Sequence, residues 1–208
     1  MKIRPKKFNE LSLKTIDPVI RILIFSDMLI IGAMGMFGPL YAIFVEDFIV
    51  DASEIVVAVS ISIYLISRSI LQIPIATLLD RIKGEKDDYY LMVISSFLVG
   101  VLHLFFLFID QAWQLFLLQA LIGIFTAVTY PSFCAIFTRH IDPHFEATEW
   151  GVYQTFVDLT SAATASIGGY IAEIYGFPPL VVTVAIICML GSLVMIPLKN
   201  NIIYKKTS

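Results

Sequence analysis

Six long apolar runs, set apart by short polar stretches, dominate the chain at 19–45, 54–79, 89–108, 113–138, 150–172 and 180–198. Crossing ~30 Å of hydrocarbon takes ~20 helical residues, and each run reaches or nears that length. None shows the period-two alternation that barrel strands need, and lipid obliges a backbone to pair within itself, so the pattern predicts helices. The predicted fold class is all-α, a polytopic bundle of six transmembrane helices over 19–198, with a cytosolic N-terminal segment over 1–18 and a cytosolic tail over 199–208. Pro39, Pro131 and Pro197 fall near span ends or at expected kinks.

The cations between the runs set an orientation. Lys2, Arg4, Lys6, Lys7 and Lys14 precede the first run. Arg81, Lys83 and Lys86 separate the second from the third, Arg139 separates the fourth from the fifth, and Lys199, Lys205 and Lys206 follow the sixth. The other three connections, 46–53, 109–112 and 173–179, hold no Lys or Arg. By the positive-inside rule both termini are expected in the cytosol, with the spans in the plasma membrane. Trp113 and Tyr175 then fall at the outer interface, and Tyr89, Tyr90 and Trp150 at the inner one. The first run is too long for a signal-peptide core and is expected to stay as a signal anchor.

Composition agrees and excludes other classes. With 58% of 208 residues hydrophobic and 15% charged, the chain lacks the polar surface of a soluble domain. The net charge of −3 carries no information about nucleic acid, and no nucleic-acid partner is expected. Cys134 and Cys188 lie inside apolar runs, where a thiol packs as a small hydrophobe, so neither disulfide nor metal spacing is implied. His140, Asp142 and His144 surround Pro143 and read as a solvated turn rather than a metal site. No cofactor is expected. No paired aspartates, Ser with Lys, or metal-spaced histidines occur inside the spans, so an enzyme is not expected either.

Several polar residues sit deep in these runs. Asp27 is eight residues into the first run and Arg68 eleven residues before the end of the second. At ~1.5 Å per residue they lie ~12 and ~17 Å from the cytosolic side, a gap a long arginine can bridge. They form either a structural ion pair between two helices or a substrate or coupling-ion site, because embedded charges usually face a cavity. Tyr64, Arg68 and Gln72 make a polar stripe at four-residue spacing, and Gln154, Asp158 and Ser161 make another. Gln119, Gly123, Thr126 and Tyr130 share one face of the fourth run, read as cavity lining or as interhelical hydrogen bonding with close glycine packing. His103 reads as a packing residue, and Arg21 lies close enough to the interface to snorkel.

The small residues and loop motifs resemble those of one six-helix half of a major facilitator superfamily transporter, from about Leu29 to Leu198. Gly32 through Gly38-Pro39-Leu40-Tyr41 resembles the family's glycine to proline stretch in the first span. Ala76-Thr77-Leu78-Leu79-Asp80-Arg81-Ile82-Lys83-Gly84-Glu85-Lys86 resembles its signature loop, with Ala76 for the leading glycine and one extra residue before Gly84. Gly123 and Pro131 stand at the usual interval in the fourth span, but the arginine often found four residues before that glycine is here Gln119. Gly168-Gly169-Tyr170-Ile171 followed by Tyr175-Gly176-Phe177 resembles the family's fifth-span segment, while Thr164-Ala165 replaces the glycine-proline pair of many antiporters.

The resemblance implies secondary active transport of small solutes by alternating access. It implies that Asp80, Arg81 and Gly84 form a cytosolic gating loop, that the fourth span lines a cavity, and that the second and fifth spans meet the opposite half. Gln119 removes the group that supports proton coupling at this position in many members, and Thr164-Ala165 argues against the drug/proton antiporter branch. The family's usual twelve helices are two parallel six-helix repeats, so this chain is expected to pair with a copy of itself or with a second half. Arg68 of one subunit is then placed to meet Asp158 of the other, with Gly168 and Gly169 permitting close helix approach. The alternative expectation is a non-transporting six-helix protein, a truncated remnant or an accessory subunit.

Overall fold

The computed structural model describes residues 16–82 and 84–203, and the cations expected at 2–14, Lys83, and Lys205 and Lys206 lie outside them. The described residues form helices with no strand. α1 (Pro18–Phe37) passes through a 3-10 turn (Gly38–Leu40) into α2 (Tyr41–Phe48), and together they make the first span. There follow α3 (Glu54–Arg81), α4 (Lys86–Leu104), α5 (Ala112–His140), α6 (Glu146–Tyr175), α7 (Phe177–Val194) and the short α8 (Leu198–Ile203).

Local chemistry explains the ends. Asp17 accepts the Val19 N–H at 2.8 Å with Pro18 in the first turn of α1, and Ser53 caps α3 through the Val56 N–H. Gln111 and Gln114 form a reciprocal capping box on α5. Gly176, at φ 85°, is the single residue between α6 and α7, a conformation that a Cβ would strain. Pro39 lies in the 3-10 turn, and Pro131 lies inside α5.

Among the described residues, five spans are long and apolar enough to cross a membrane. The remaining long helix, α6, has 30 residues but is threaded by Gln154, Thr155, Asp158, Thr160, Ser161 and Thr164. Its threonines return their hydroxyls to carbonyls one turn back, Thr155 to Gly151, Thr160 to Phe156 and Thr164 to Thr160, at 2.7–2.9 Å. That pairing lowers their cost in lipid. The expected runs were shorter than the helices at most ends, because hydropathy stops where charge begins whereas backbone pairing continues into the polar layer. α8 had no apolar signal of its own and follows the break at Pro197.

α1 packs on α6 and α7, and α4 and α3 pack on α5, with α4 also against α7. Direct contact between α1 and α5 is slight. Two apolar clusters close the ends of the bundle. One joins Phe37, Phe44, Phe106, Leu115, Phe177 and Leu180, with Phe37 and Phe106 rings 5.3 Å apart. The other joins Leu23, Met92, Phe133, Phe137, Tyr153 and Leu198, with Phe137 and Trp150 rings 4.3 Å apart. Arg81, Lys86, Arg139 and Lys199 all fall at the second end, called here the basic end. α3 and α6 stay at the margin: only Ser60 and Leu79 of α3, and Glu149, Tyr153, Val157 and Gly168 of α6, are buried.

Candidate functional site

Because α1 and α5 scarcely touch, space remains between the two apolar clusters. It forms a cavity of about 560 Å³ walled by α1, α2, α3, α4 and α5, with Tyr153 of α6 entering from the side. Asp27, Arg68 and Gln119 all line it, as do Tyr64, Thr126 and Tyr130.

The charged groups share the part nearer the basic end. Tyr153 donates its hydroxyl to Asp27 Oδ2 at 2.8 Å. Arg68 reaches the Tyr64 hydroxyl at 3.4 Å and lies over the Tyr130 ring, 5.1 Å from its centroid. This is a cation–π arrangement, strongest where water is scarce. Among the described residues Arg68 makes no ion pair: neither Asp27 nor Asp158 approaches its nitrogens within 4.0 Å. The expected Asp27–Arg68 pair is therefore two opposite charges facing one cavity without closing on each other.

The far part is neutral and polar. Gln119 donates to the Tyr41 hydroxyl at 2.7 Å, and Ser60 donates to the Val57 carbonyl at 2.7 Å. The Tyr41–Ser60 contact at 2.6 Å then runs from Tyr41 to Ser60, a relay with every proton assigned. His103 is buried on the Phe106 ring with Nδ1 2.7 Å from the Val99 carbonyl. A carbonyl only accepts, so Nδ1 carries the proton and Nε2 is an acceptor. The histidine read as packing alone is also cavity wall. Ser96 lies on the same wall, 3% exposed, and its hydroxyl has no hydrogen-bond partner among the described residues.

Three expected site residues lie elsewhere. Gln72 follows Tyr64 by eight positions, which turns it ~80° around the helix and carries it ~12 Å along, out of the cavity. Gln154 and Asp158 are exposed and bond to each other at 2.8 Å. Asp158 and Ser161 edge a separate shallow groove beside Gly35, Gly38 and Pro39. The inward stripe of α6 is Tyr153, Val157, Thr164 and Gly168, offset from the polar one read from the sequence.

Glycines set the close approaches. A Cβ on Gly123 would come within 2.5 Å of the Tyr64 carbonyl, and one on Gly168 within 2.2 Å of the Met36 carbonyl. Gly168, expected at a subunit seam, thus serves packing of α6 on α1 within the chain. A Cβ on Gly169 would meet nothing within 4 Å.

At the basic end Asp80 and Arg81 are exposed and their side chains make no hydrogen bond or ion pair among the described residues. Gly84, at φ 123°, turns the chain into α4, and its carbonyl accepts from Arg139 at 3.4 Å. Arg139 also pairs with the fully buried Asp88. His140, expected in a solvated turn, is instead buried, because α5 runs through it and folds its ring back onto the Ile136 carbonyl at 3.0 Å. Glu85 stands 3.9 Å from it. Among the described residues no cluster has the makings of a metal site.

Tyr41, Tyr153, Ser96 and His103 are cavity residues that sequence reasoning did not assign. Tyr153 shares the 153, 157, 164, 168 face of α6 with the apolar Val157 and the small Gly168, so this face does not stand out as polar in the sequence.

Comparison with known proteins places these features in a family. The description Major Facilitator Superfamily matches residues 23–201. The chain is 26% identical over 159 residues to an uncharacterized MFS-type transporter of Methanocaldococcus jannaschii, covering 76% of this chain and 39% of that protein. It is 23% identical over 163 residues to the uncharacterized MFS-type transporter YitZ of Bacillus subtilis, covering 78% of this chain and 96% of that one. The match thus spans well under half of the first relative and nearly all of the second.

Proposed function

The chain belongs to the Major Facilitator Superfamily, and on that premise we propose that it is a secondary active transporter of small solutes, working by alternating access as a pair of six-helix bundles. The family is one of transporters and not of enzymes. The observation that carries the proposal is the mid-span cavity of about 560 Å³ with Asp27 and Arg68 facing it. Embedded charges are costly in lipid and persist where they meet a solute or ion pathway.

Pairing is supported by the margins of the bundle. α3 and α6 bury few side chains, and among the described residues Asp158 bonds to its own helix neighbour Gln154 alone. A second bundle laid against α3 and α6 shelters that carboxylate and closes the open flank of the cavity. Parallel repeats share one topology, so no inversion is needed. We place the basic end in the cytosol of the plasma membrane, with Asp80 and Arg81 at the seam where they hold one access state closed.

The test is uptake into proteoliposomes under an imposed proton or sodium gradient, with particle mass measured in nanodiscs. Gradient-driven accumulation by a particle of two bundles, lost in Arg68→Ala, is the expected result. A transport-competent single bundle overturns the pairing, and a well-folded pair that moves no solute of any class overturns transport and leaves an accessory role.

A further inference from the structure

The cavity carries a carboxylate and a guanidinium on different helices, Asp27 on α1 and Arg68 on α3, both in its wall and not in contact. Each is held by an aromatic partner instead, Asp27 by the Tyr153 hydroxyl and Arg68 by the Tyr130 face. Opposite charges in low dielectric attract strongly, yet among the described residues these two form no ion pair. With Asp27 ionised, the two sum to zero. A singly charged occupant would leave one of them uncompensated, whereas a neutral occupant bearing both charges satisfies both.

From Asp27 to Tyr41 the wall runs fourteen helical positions, about 20 Å along the bundle. Between the charged part and the neutral polar part the wall is apolar, with Met34, Phe37 and Ile122.

We infer that the cavity takes a small amphipathic zwitterion, with its ammonium on Asp27, its carboxylate on Arg68 and its apolar body along Met34, Phe37 and Ile122. The inference rests on the transport reading of this cavity and narrows it to a substrate class. Charge-assisted hydrogen bonds supply the affinity of the head, and the apolar wall supplies that of the tail.

The test uses the full chain in nanodiscs and three matched triples of probes. These are leucine, isoamylamine and 4-methylpentanoate; phenylalanine, phenethylamine and 3-phenylpropionate; and tryptophan, tryptamine and indole-3-propionate. Binding is read by calorimetry, with uptake of the same probes measured in proteoliposomes. In at least one triple the zwitterion binds about tenfold or more tighter than either singly charged member, the margin expected of one charge-assisted hydrogen bond. Asp27→Asn then weakens the zwitterion and the amine but spares the acid, and Arg68→Gln does the reverse. If in every triple a singly charged probe binds as tightly as its zwitterion, the inference is overturned, and that comparison needs only the wild-type chain should either variant fail to fold. Gradient-driven uptake of other solutes alongside that result would leave the transport reading standing and sink this one alone.

Discussion

At the scale of single residues, the bundle discriminates between glycines that look alike in the sequence. Gly123 lies against the Tyr64 carbonyl, where an added Cβ would approach to 2.5 Å, so α3 and α5 must part to accept it. Gly123→Ala is expected to cost about 1–3 kcal/mol, the range for overpacking a tight contact, read as a lowered thermal midpoint in detergent. Gly169→Ala meets nothing within 4 Å and removes a flexible residue from a helix interior, so its midpoint should hold or rise slightly. Equal losses in the two variants would contradict this assignment. Tyr153 and Asp27 supply a second test, because their hydrogen bond joins α6 to α1. A double-mutant cycle with Tyr153→Phe and Asp27→Asn should return a coupling of about 1–2 kcal/mol, and a value near zero would mean that the two side chains do not meet.

At the scale of elements, the ends of α4 and α5 are locked by Arg139 on the buried Asp88. Arg139 is itself 35% exposed, so solvent screens part of the pair, but removing it strands a carboxylate away from water. Arg139→Gln is expected to lower stability by about 2–3 kcal/mol, and adding Asp88→Asn should recover most of that loss. Failure of the second substitution to rescue the first would assign the loss to Gly84 and the loop instead. The helices themselves were legible in the sequence, since twenty apolar residues in lipid have few other backbone solutions. So were Asp27, Arg68 and Gln119 as cavity groups, because charge or amide in such a run is conspicuous. Polar spacing alone did not reveal which face of α6 turns inward. Of its conspicuous stripe, Gln154 and Asp158 face outward while Ser161 lies against Gly35 of α1, and the inward face hides its polarity in Tyr153 and in a threonine bonded to the Gly32 carbonyl. His140 was misread because the length of α5 past the apolar run leaves no mark in hydropathy.

At the scale of the whole molecule, orientation and pairing are the properties to measure. With Cys134 and Cys188 replaced, Arg81→Cys should resist an impermeant thiol reagent applied to intact cells and Gln111→Cys should react. The reverse pattern would invert the placement of the basic end. Asp27 and Arg68 belong to one chain and face one cavity, and this has a consequence for stoichiometry. A twofold pair carries two complete sets of these groups related by its axis, so titration of the pair should saturate at one ligand per chain. A site built on the axis itself, shared between the two bundles, would saturate at half that value, and equilibrium titration at known protein concentration separates the two.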